Sequence, residues 1–196
     1  MHYISDILYW ISTGLLVPVI VLLIVLFGRA LLLIGSFFGQ YLSVRKTEAM
    51  LKQEFDTLNK ENVATLAGRL PKGQKSPVVS YIQRMLEHGE SEAHLQKLLS
   101  DFEIASAADL ATSKTLAKMG PMLGLMGTLI PMGPALVGLS IGDIASMAYN
   151  MQVAFATTVV GLFAAAIGFI TGQVKSRWYQ HDRVNLQFLA DLLTEK

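Results

Sequence analysis

Three threonines stand in the middle of apolar stretches, and their hydroxyl groups are the first candidates for chemistry in this sequence. Thr128 lies in the run GPMLGLMGTLIPMGPALVGL, and Thr157 and Thr158 lie in the run MQVAFATTVVGLFAAAIGFITGQ. A threonine hydroxyl can bond a carbonyl one turn back in its own helix, which gives it a purely structural role. It can also line a path for an ion. Both interpretations stay open on the residues alone.

Two long apolar runs carry these threonines. Between Lys118 and Lys175 the only charged residue is Asp143, so each run has the ~20 apolar residues that a helix needs to cross a ~30 Å hydrocarbon core. The sequence predicts a second transmembrane helix over residues 115–139, an outer turn over 140–150 and a third transmembrane helix over 151–173. Two prolines, Pro131 and Pro134, are expected to interrupt the second transmembrane helix.

Small residues recur in both runs, many of them four positions apart, and they indicate close helix packing. Small side chains let helix backbones approach, which drives association in lipid, where there is little hydrophobic force between helices. The two helices are therefore predicted to pack against other helices and not to face lipid all round. The residues concerned are Gly120, Gly124 and Gly127 in the first run, and Gly161, Ala164, Ala165, Gly168 and Gly172 in the second.

An earlier apolar run predicts the first transmembrane helix. An outer tail, residues 1–6, precedes it, and the helix with its extension beyond the membrane occupies residues 7–42. The N-terminal stretch lacks the basic region and cleavage site of a signal peptide, so the run is expected to be retained. Trp10 and Arg29 lie about 28 Å apart along a helix and match the two membrane boundaries as interface anchors. Arg29 is expected to snorkel to the interface, although a cation buried in a helix bundle also fits its apolar surroundings.

Residues 43–114 carry balanced charge and few long apolar runs, so they are predicted to form a water-facing helical domain. Its first helix, rich in interleaved charges, is expected to be exposed and to end near Gly68. Ser76 is expected to cap a short helix that begins at Pro77 and stops at Gly89.

A second cap signal lies at Ser91, and no helix breaker follows it before Gly120. The helix that begins there is therefore predicted to run directly into the second transmembrane helix. Residues 174–196 have one apolar side and predict a cytoplasmic C-terminal helix. That helix needs a partner, either its own cytoplasmic domain or a neighbouring subunit.

Basic residues near the ends of the apolar runs predict the orientation. They follow the first run, precede the second and follow the third, whereas the N-terminal tail and the 140–150 turn have none. By the positive-inside rule the chain crosses the cell membrane three times, with its N-terminus outside and its C-terminus in the cytoplasm. The residues are Arg45, Lys46, Lys52, Lys114, Lys118, Lys175, Arg177 and Arg183. The fold class is an all-α membrane protein whose three transmembrane helices extend into a cytoplasmic helical domain.

Composition narrows the possible functions. Of 196 residues, 52% are hydrophobic and only 16% are charged, which is typical of a small membrane protein. No cysteine is present, and His2, His88, His94 and His181 have no ligand spacing, so no metal site is predicted. We find no nucleophile–base pair, phosphate-binding loop or nucleotide motif. No catalytic residue, enzymatic activity, cofactor or nucleic-acid partner is expected.

The threonine motifs resemble those of a known family. Gly127 and Thr128 in GPMLGLMGTL are similar to the glycine–threonine signature of the second transmembrane helix in the MotA/TolQ/ExbB proton-channel family. Thr158 before Gly161-Leu162-Phe163 resembles the pattern of the third helix. The resemblance covers residues 118 to 173, and the three-helix topology is closest to ExbB and TolQ. Val153 departs from the pattern, because ExbB-like members carry a glutamate one turn before the third-helix threonine.

The resemblance implies a homo-oligomer, a pentamer in known members, that surrounds a dimer of single-span proteins like ExbD, TolR or MotB. The partner's membrane helix bears an aspartate, and Thr128 and Thr158, with Thr157 as an addition, would line the ion path beside it. Flow of H⁺ or Na⁺ would then drive mechanical work for protein transport, envelope maintenance or motility. The residues themselves agree in one respect, because this chain has no carboxylate in its membrane runs. The alternative is a non-conducting scaffold whose glycine-rich helices simply assemble a bundle.

Overall fold

A computed structural model describes residues 2–56, 58, 63, 66, 77–87 and 91–194 of the chain. Every regular element among these residues is an α-helix, which confirms the all-α prediction. The helices are α1 (His2–Gly14), α2 (Leu16–Asp56), α3 (Pro77–Glu87), α4 (Glu92–Ser140) and α5 (Ile144–Thr194). Three helical stretches are long and apolar enough to cross a membrane, as predicted: Ile7–Val44, Glu92–Ser140 and Ile144–Thr194.

The first of these stretches contains one irregularity, at Leu15 between α1 and α2. The Leu15 N–H donates to the carbonyls of Ile11 and Ser12, and the Val19 N–H donates to the Leu15 carbonyl, each at 3.1 Å. Pro18 has no N–H to give to the carbonyl one turn before it. The missing bond explains why the regular pattern stops here for one residue and then resumes.

The expectation that prolines interrupt the second transmembrane helix is wrong. Helix α4 runs unbroken from Glu92 to Ser140 with Pro121, Pro131 and Pro134 inside it. Each proline removes one backbone donor, and the rest of the ladder persists because a broken helix would expose many more polar groups to lipid. The same helix begins directly after Ser91, whose carbonyl accepts bonds from the His94 and Leu95 N–H groups. The predicted continuous run into the second transmembrane helix is thus observed.

A tight turn joins α4 to α5. Gly142 has a φ of +78°, a conformation that glycine adopts without steric cost. The Asp143 N–H donates to the Gly138 carbonyl at 2.8 Å, and the Asp143 carboxylate accepts the Ser146 N–H at 3.0 Å. Asp143 therefore caps the N-terminus of α5.

The chain divides into two compact units. The first unit comprises Met1–Ile34 and Thr112–Gly172. In it, one side of α2 packs against α4 and α5, and this packing forms an apolar cluster. The cluster contains Val19, Leu23, Leu26, Ala30 and Leu33 from α2, Leu116 and Leu123 from α4, and Ala164 and Ile167 from α5, with Ile34 and Ile130 at its edge.

The second unit comprises Gly35–Ala111 and Gln173–Lys196, and it has its own core of larger side chains. The core contains Leu51, Leu58, Val63, Leu66, Val78, Val79, Ile82, Met85, Leu95, Leu98, Phe102, Leu186, Leu189 and Ala190. Two of these, Leu186 and Leu189, show that the C-terminal part of α5 packs within its own chain. Two partners were open for that segment, the chain's own domain and a neighbouring subunit, and the structure shows contact with the chain's own domain.

One expectation for this unit needs correction. The helix after residue 43 was expected to be exposed and to end near Gly68, but α2 ends at Asp56. Leu51 is 4% exposed and Leu66 is 1% exposed, because both belong to the core. Because charged residues alternate with apolar ones in this segment, the sequence did not reveal that Leu51 and Leu66 are buried. Gly68 lies outside the described residues, as do Ser76 and Gly89.

Candidate ion-path residues at the α4–α5 contact

Helices α4 and α5 approach most closely where one of them has a glycine. A Cβ built on Gly127 would lie 2.6 Å from Oγ1 of Thr157, and one built on Gly120 would lie 2.5 Å from the carbonyl oxygen of Gly161. Real Cβ atoms do not come so near to other heavy atoms. These glycines therefore set the distance between the two backbones.

The same contact continues along both helices. A Cβ on Gly168 would lie 2.6 Å from Cβ of Leu116 and from the carbonyl oxygen of Ser113, and one on Gly172 would lie 3.3 Å from Cβ of Ser113. Ala165 faces Gly120, and Gly124 faces Thr158 and Gly161. Seven of the eight small residues predicted for packing thus lie on this contact, and the eighth, Ala164, is buried in the apolar cluster with α2.

The antiparallel register of the two helices places the threonines in depth. Thr128 lies about 15 Å along α4 from Lys118, the first cation on the way to one membrane boundary, which is half of a ~30 Å hydrocarbon core. Because Thr157 packs against Gly127, it lies at the same level as Thr128. Thr158 is the next residue. The three hydroxyl groups therefore lie near the middle of the apolar runs of α4 and α5.

Each of the three hydroxyls donates its hydrogen to a carbonyl of its own helix. Thr128 Oγ1 donates to Leu125 at 2.8 Å, and Thr158 Oγ1 donates to Ala154 at 3.1 Å. Thr157 Oγ1 shares its hydrogen between Ala154 at 2.9 Å and Val153 at 3.1 Å. These bonds are the structural role expected of threonine in a helix. They occupy the hydrogen and leave the oxygen lone pairs available as acceptors.

The three threonines differ in where they point. Thr157 is buried, at 9% exposure, whereas Thr128 and Thr158 are half-buried. Thr128 lies about 140° around α4 from Leu123, and Thr158 lies about 120° around α5 from Ala164. Since Leu123 and Ala164 contact α2, Thr128 and Thr158 lie on the side turned away from α2. No hydrogen bond joins these three hydroxyls to one another in the described structure.

The sequence of α4 also leaves a backbone acceptor without its usual donor at Gly127. Pro131 is buried and has no N–H, so it cannot supply the bond that a helix normally gives to the carbonyl four residues earlier, which is that of Gly127. Gly127 is the residue that contacts Thr157. The α4–α5 contact therefore offers the Gly127 carbonyl and the threonine oxygens. All of these groups are hydrogen-bond acceptors, and none of them is titratable.

Both predicted interface anchors are exposed. Trp10 is 75% exposed, and the Arg29 side chain is exposed as well. The rings of Phe27 and Phe163 are 5.9 Å apart, which places Arg29 near the level of Ala165. Because Ala165 faces Gly120, Arg29 and Lys118 lie at similar depth. A position at the membrane boundary suits the snorkelling interpretation of Arg29, and burial inside this chain is not observed.

A pair of hydroxyls that sequence reasoning missed joins the same two helices. Ser113 and Thr171 are 0% and 4% exposed, and their hydroxyl oxygens are 3.2 Å apart. Thr171 already donates to the Ile167 carbonyl at 2.7 Å, so Ser113 is the donor of the shared bond. A signal existed, because Thr171 lies two heptads after Thr157 and thus on the same side of α5.

The second unit holds another network that the sequence did not reveal. Lys175, only 3% exposed, donates to Oδ2 of Asp109 at 2.9 Å, and the Tyr179 hydroxyl donates to the same oxygen at 2.7 Å. Gln40 in turn donates to the Tyr179 oxygen at 3.2 Å. Burial raises the pKa of Tyr179 well above its usual range, and the bond to Asp109 raises it further. Tyr179 therefore remains a protonated donor at physiological pH.

Nothing in the part of the chain that the structure describes suggests a metal centre, since no three His, Asp or Glu side chains lie close enough together to hold an ion. The polar groups of the α4–α5 contact, the threonine oxygens and the Gly127 carbonyl, act as hydrogen-bond acceptors. Such a contact can solvate a proton carrier or a cation but cannot itself take up and release a proton.

Comparison with known proteins identifies the family. No curated protein matches the sequence. A family model described as the MotA/TolQ/ExbB proton channel family matches residues 70–186, which is more than half of the chain and includes every threonine considered above. The resemblance seen in the threonine motifs is thereby confirmed, and this chain belongs to the MotA/TolQ/ExbB proton channel family.

Proposed function

We propose that this chain is the ring-forming subunit of an ion-driven membrane motor, and that it couples ion flow to mechanical work through a single-span partner bearing an intramembrane aspartate. The observation that carries the proposal is the placement of Thr128 and Thr158. Both lie near the middle of the apolar runs of α4 and α5, on the side that α2 does not cover. That side is available to other subunits and to a partner helix.

The division of labour follows from the chemistry of the contact. An ion at the bilayer centre costs at least about 2.5 kcal/mol even on insertion scales, so a path needs polar groups and a group that takes up the charge. This chain offers hydroxyl oxygens and the Gly127 carbonyl, but its one acidic residue between Lys118 and Lys175 caps α5 in the outer turn. A carboxylate from a partner would supply the titrating group. The threonine lone pairs would accept a hydrogen bond from that carboxyl group when it is protonated.

The remaining features of the proposal follow the family and the charge distribution. The ring is a homo-oligomer, a pentamer as in related proteins, around a dimer of ExbD-, TolR- or MotB-like chains in the inner membrane. The N-terminus lies outside and the C-terminus in the cytoplasm. The ion is a proton or Na⁺, and the work serves protein transport, envelope maintenance or motility.

A non-conducting scaffold is the competing function, and one observation favours it. All three threonine hydroxyls donate to their own backbone, and the glycine contacts account for helix packing without any ion. A scaffold predicts that the threonine oxygens are dispensable and that assembly requires only the small residues.

Assembly and energised work are measured together to test the proposal. The chain contains no cysteine, so single cysteines introduced at Leu125 and Phe155, both exposed, report neighbouring subunits by cross-linking. We expect closed oligomers for the wild type and for the threonine variants. A chain that stays monomeric in mild detergent would refute the ring.

Ion transport is measured in liposomes that contain the chain with a single-span protein of the ExbD, TolR or MotB type, under an imposed H⁺ or Na⁺ gradient. Thr158→Val and Thr128→Val should abolish flux while assembly survives, because valine keeps the shape and removes the oxygen. Thr158→Ser should retain part of the flux, and Thr115→Val, on an exposed position of α4, serves as the control. Equal flux in the Val and Ser variants would favour the scaffold, and strong flux without any partner would refute the division of labour.

A further inference from the structure

Two lysines near the end of the apolar part of α4 are exposed, and no described acidic side chain forms an ion pair with either of them. Lys114 and Lys118 are both exposed, and among the described residues no ion pair or hydrogen bond involves either of them. Two cations of α5 are paired with carboxylates of α4: Lys175 with Asp109 and Arg183 with Glu103. Lys114 and Lys118 are thus two cations, one helical turn apart, that no described carboxylate neutralises.

The two lysines share the side of α4 that carries Thr128. Lys114 lies about 40° around the helix from Thr128 and Lys118 about 80°, on the side away from Leu116 and Leu123. Those two leucines contact α2. Along the axis, Lys118 is about 15 Å and Lys114 about 21 Å from Thr128, at and just beyond the membrane boundary. An occupant that covers Thr128 and extends along α4 about one turn past the membrane boundary would therefore also cover the lysines.

Electrostatics favours an acidic occupant over a neutral one for such a face. Like charges one helical turn apart destabilise a helix by about 0.2–0.5 kcal/mol, and several copies arranged around one axis would add repulsion between subunits. A concentration of uncompensated positive charge would also oppose the exit of a cation from the path above it. Both costs disappear when carboxylates lie between the lysines.

We propose that Lys114 and Lys118 form a docking surface for an acidic segment of the single-span partner, the segment that lies outside the membrane next to its transmembrane helix. This inference rests on the proposed function, because it assumes that the Thr128 side of α4 faces the partner. It adds a second point of contact, which fixes the depth and rotation of the partner helix relative to the threonines. The competing occupant is an anionic lipid headgroup, which the same charges would attract.

The test uses the full-length chain in nanodiscs of phosphatidylcholine and a fluorescein-labelled peptide of alternating Glu and Ser. Fluorescence anisotropy should detect binding that weakens with salt. Lys114→Gln with Lys118→Gln should weaken binding about tenfold, as expected for the loss of two exposed ion pairs on each subunit. Lys97→Gln, at another exposed position of α4, should leave binding unchanged, and a peptide with Gln in place of Glu should not bind.

Lipid competition separates the two occupants. In nanodiscs containing phosphatidylglycerol the wild type should still bind the Glu peptide, with the same dependence on the two lysines. Loss of binding in those discs would overturn the proposal in favour of lipid headgroups. Equal binding by the wild type and the double variant would overturn it as well, since the lysines would then not be the docking surface.

Failure of this inference is distinguishable from failure of the proposed function. The lysine variants should assemble like the wild type, and Thr128→Val should bind the peptide normally. A chain that assembles and shows threonine-dependent flux but does not bind the peptide refutes the docking surface alone. A chain that binds the peptide but shows no threonine-dependent flux refutes the motor alone.

Discussion

In the first unit the helices meet where side chains are smallest, whereas the second unit is held together by some of the largest apolar side chains in the chain. The α4–α5 contact is made at Gly120, Gly127, Gly161 and Gly168. The core of the second unit instead contains Leu, Ile, Met and Phe side chains, and Ile82 and Met85 are completely buried.

This difference is the one expected if the first unit lies in lipid and the second unit in water. Apolar side chains gain nothing by leaving lipid for another helix, so helices in a membrane associate through close backbone contact and hydrogen bonds. In water, burial of a large side chain is worth about 1.5–3 kcal/mol, and bulk is favourable. The packing therefore supports the assignment of the first unit to the membrane and of the second unit to water. Four predictions probe this contrast.

The largest effect is expected in the second unit, from Ile82→Ala. Removing a completely buried side chain leaves a cavity, and such changes cost about 2–5 kcal/mol. Hydrogen exchange of the α3 amides should accelerate accordingly, while the amides of the α4–α5 contact in the first unit remain protected. Gln83→Ala, one position further and exposed, provides the control. Equal exchange in the two variants would mean that this core does not hold α3.

The first unit should instead be destabilised when a methyl group is added. Gly168→Ala places a Cβ 2.6 Å from Leu116 and Ser113, and because one of these contacts is to backbone, the helices must separate. Overpacking of this kind costs about 1–3 kcal/mol. Unfolding by sodium dodecyl sulfate should occur at a lower detergent fraction.

Gly28→Ala is the matched control for that variant. Nothing lies within 4 Å of a Cβ built on Gly28, and alanine favours a helix over glycine by up to about 1 kcal/mol. The control should therefore be neutral or slightly stabilising. If both alanines were tolerated equally, the close approach of α4 and α5 would not be a determinant of stability.

The glycine contacts show what the sequence could predict. The spacing of Gly120, Gly124 and Gly127 identified the packing surface of α4, and hydropathy identified the three membrane helices. Both signals are local, since they depend on residues within a few turns of one helix. The persistence of α4 through Pro131 was not predicted, because proline weakens a helix locally while membrane surroundings and neighbouring helices maintain it.

Contacts between residues that are distant in sequence could not be predicted. Asp109 and Lys175 are 66 positions apart, and Ser113 and Thr171 are 58 apart. Pairing them requires the register of α4 against α5, which no single helix encodes. The same limit applied to the threonines. Only the register shows that Thr157 contacts Gly127 and that Thr158 lies on the side turned away from α2. The roles predicted for these threonines stay predictions until flux is measured.

A smaller effect is expected from the buried ion pair, and it should be asymmetric. Asp109→Asn leaves the buried Lys175 ammonium without a charged partner and should cost about 1–2 kcal/mol, reduced from the cost of a fully buried pair because Asp109 is 43% exposed. Lys175→Met fills the same space without a charge and should cost less. Thermal unfolding of the two variants in mild detergent measures the difference. Arg183→Met, which breaks the exposed pair with Glu103, should be near neutral.

A result in which Lys175→Met is the more damaging change would contradict the electrostatic argument. It would mean that Lys175 contributes something other than a compensated charge, such as a contact with another subunit. The ordering of the three variants is thus more informative than any single value.

The smallest effect is expected at the hydroxyl pair of the first unit. Thr171→Val keeps the shape and removes the oxygen that accepts the Ser113 hydrogen. Hydrogen bonds between helices in a membrane protein average about 0.6 kcal/mol in double-mutant cycles, because the separated helices find other partners. Ser113 has such a partner available, the carbonyl one turn back in α4. Thr171→Ser should therefore be close to the wild type, and Thr171→Val should be only slightly weaker.

A double-mutant cycle with Ser113→Ala, followed by unfolding in sodium dodecyl sulfate, gives the coupling energy directly. A coupling near 0.6 kcal/mol would assign the pair to helix packing and leave Thr128, Thr157 and Thr158 as the hydroxyls with another role. A coupling several times larger would mean that lipid and water are both excluded from this pair more strictly than in an ordinary membrane contact. The contrast between the units would then be sharper still, because the first unit would depend on polar bonds as heavily as the second depends on apolar bulk.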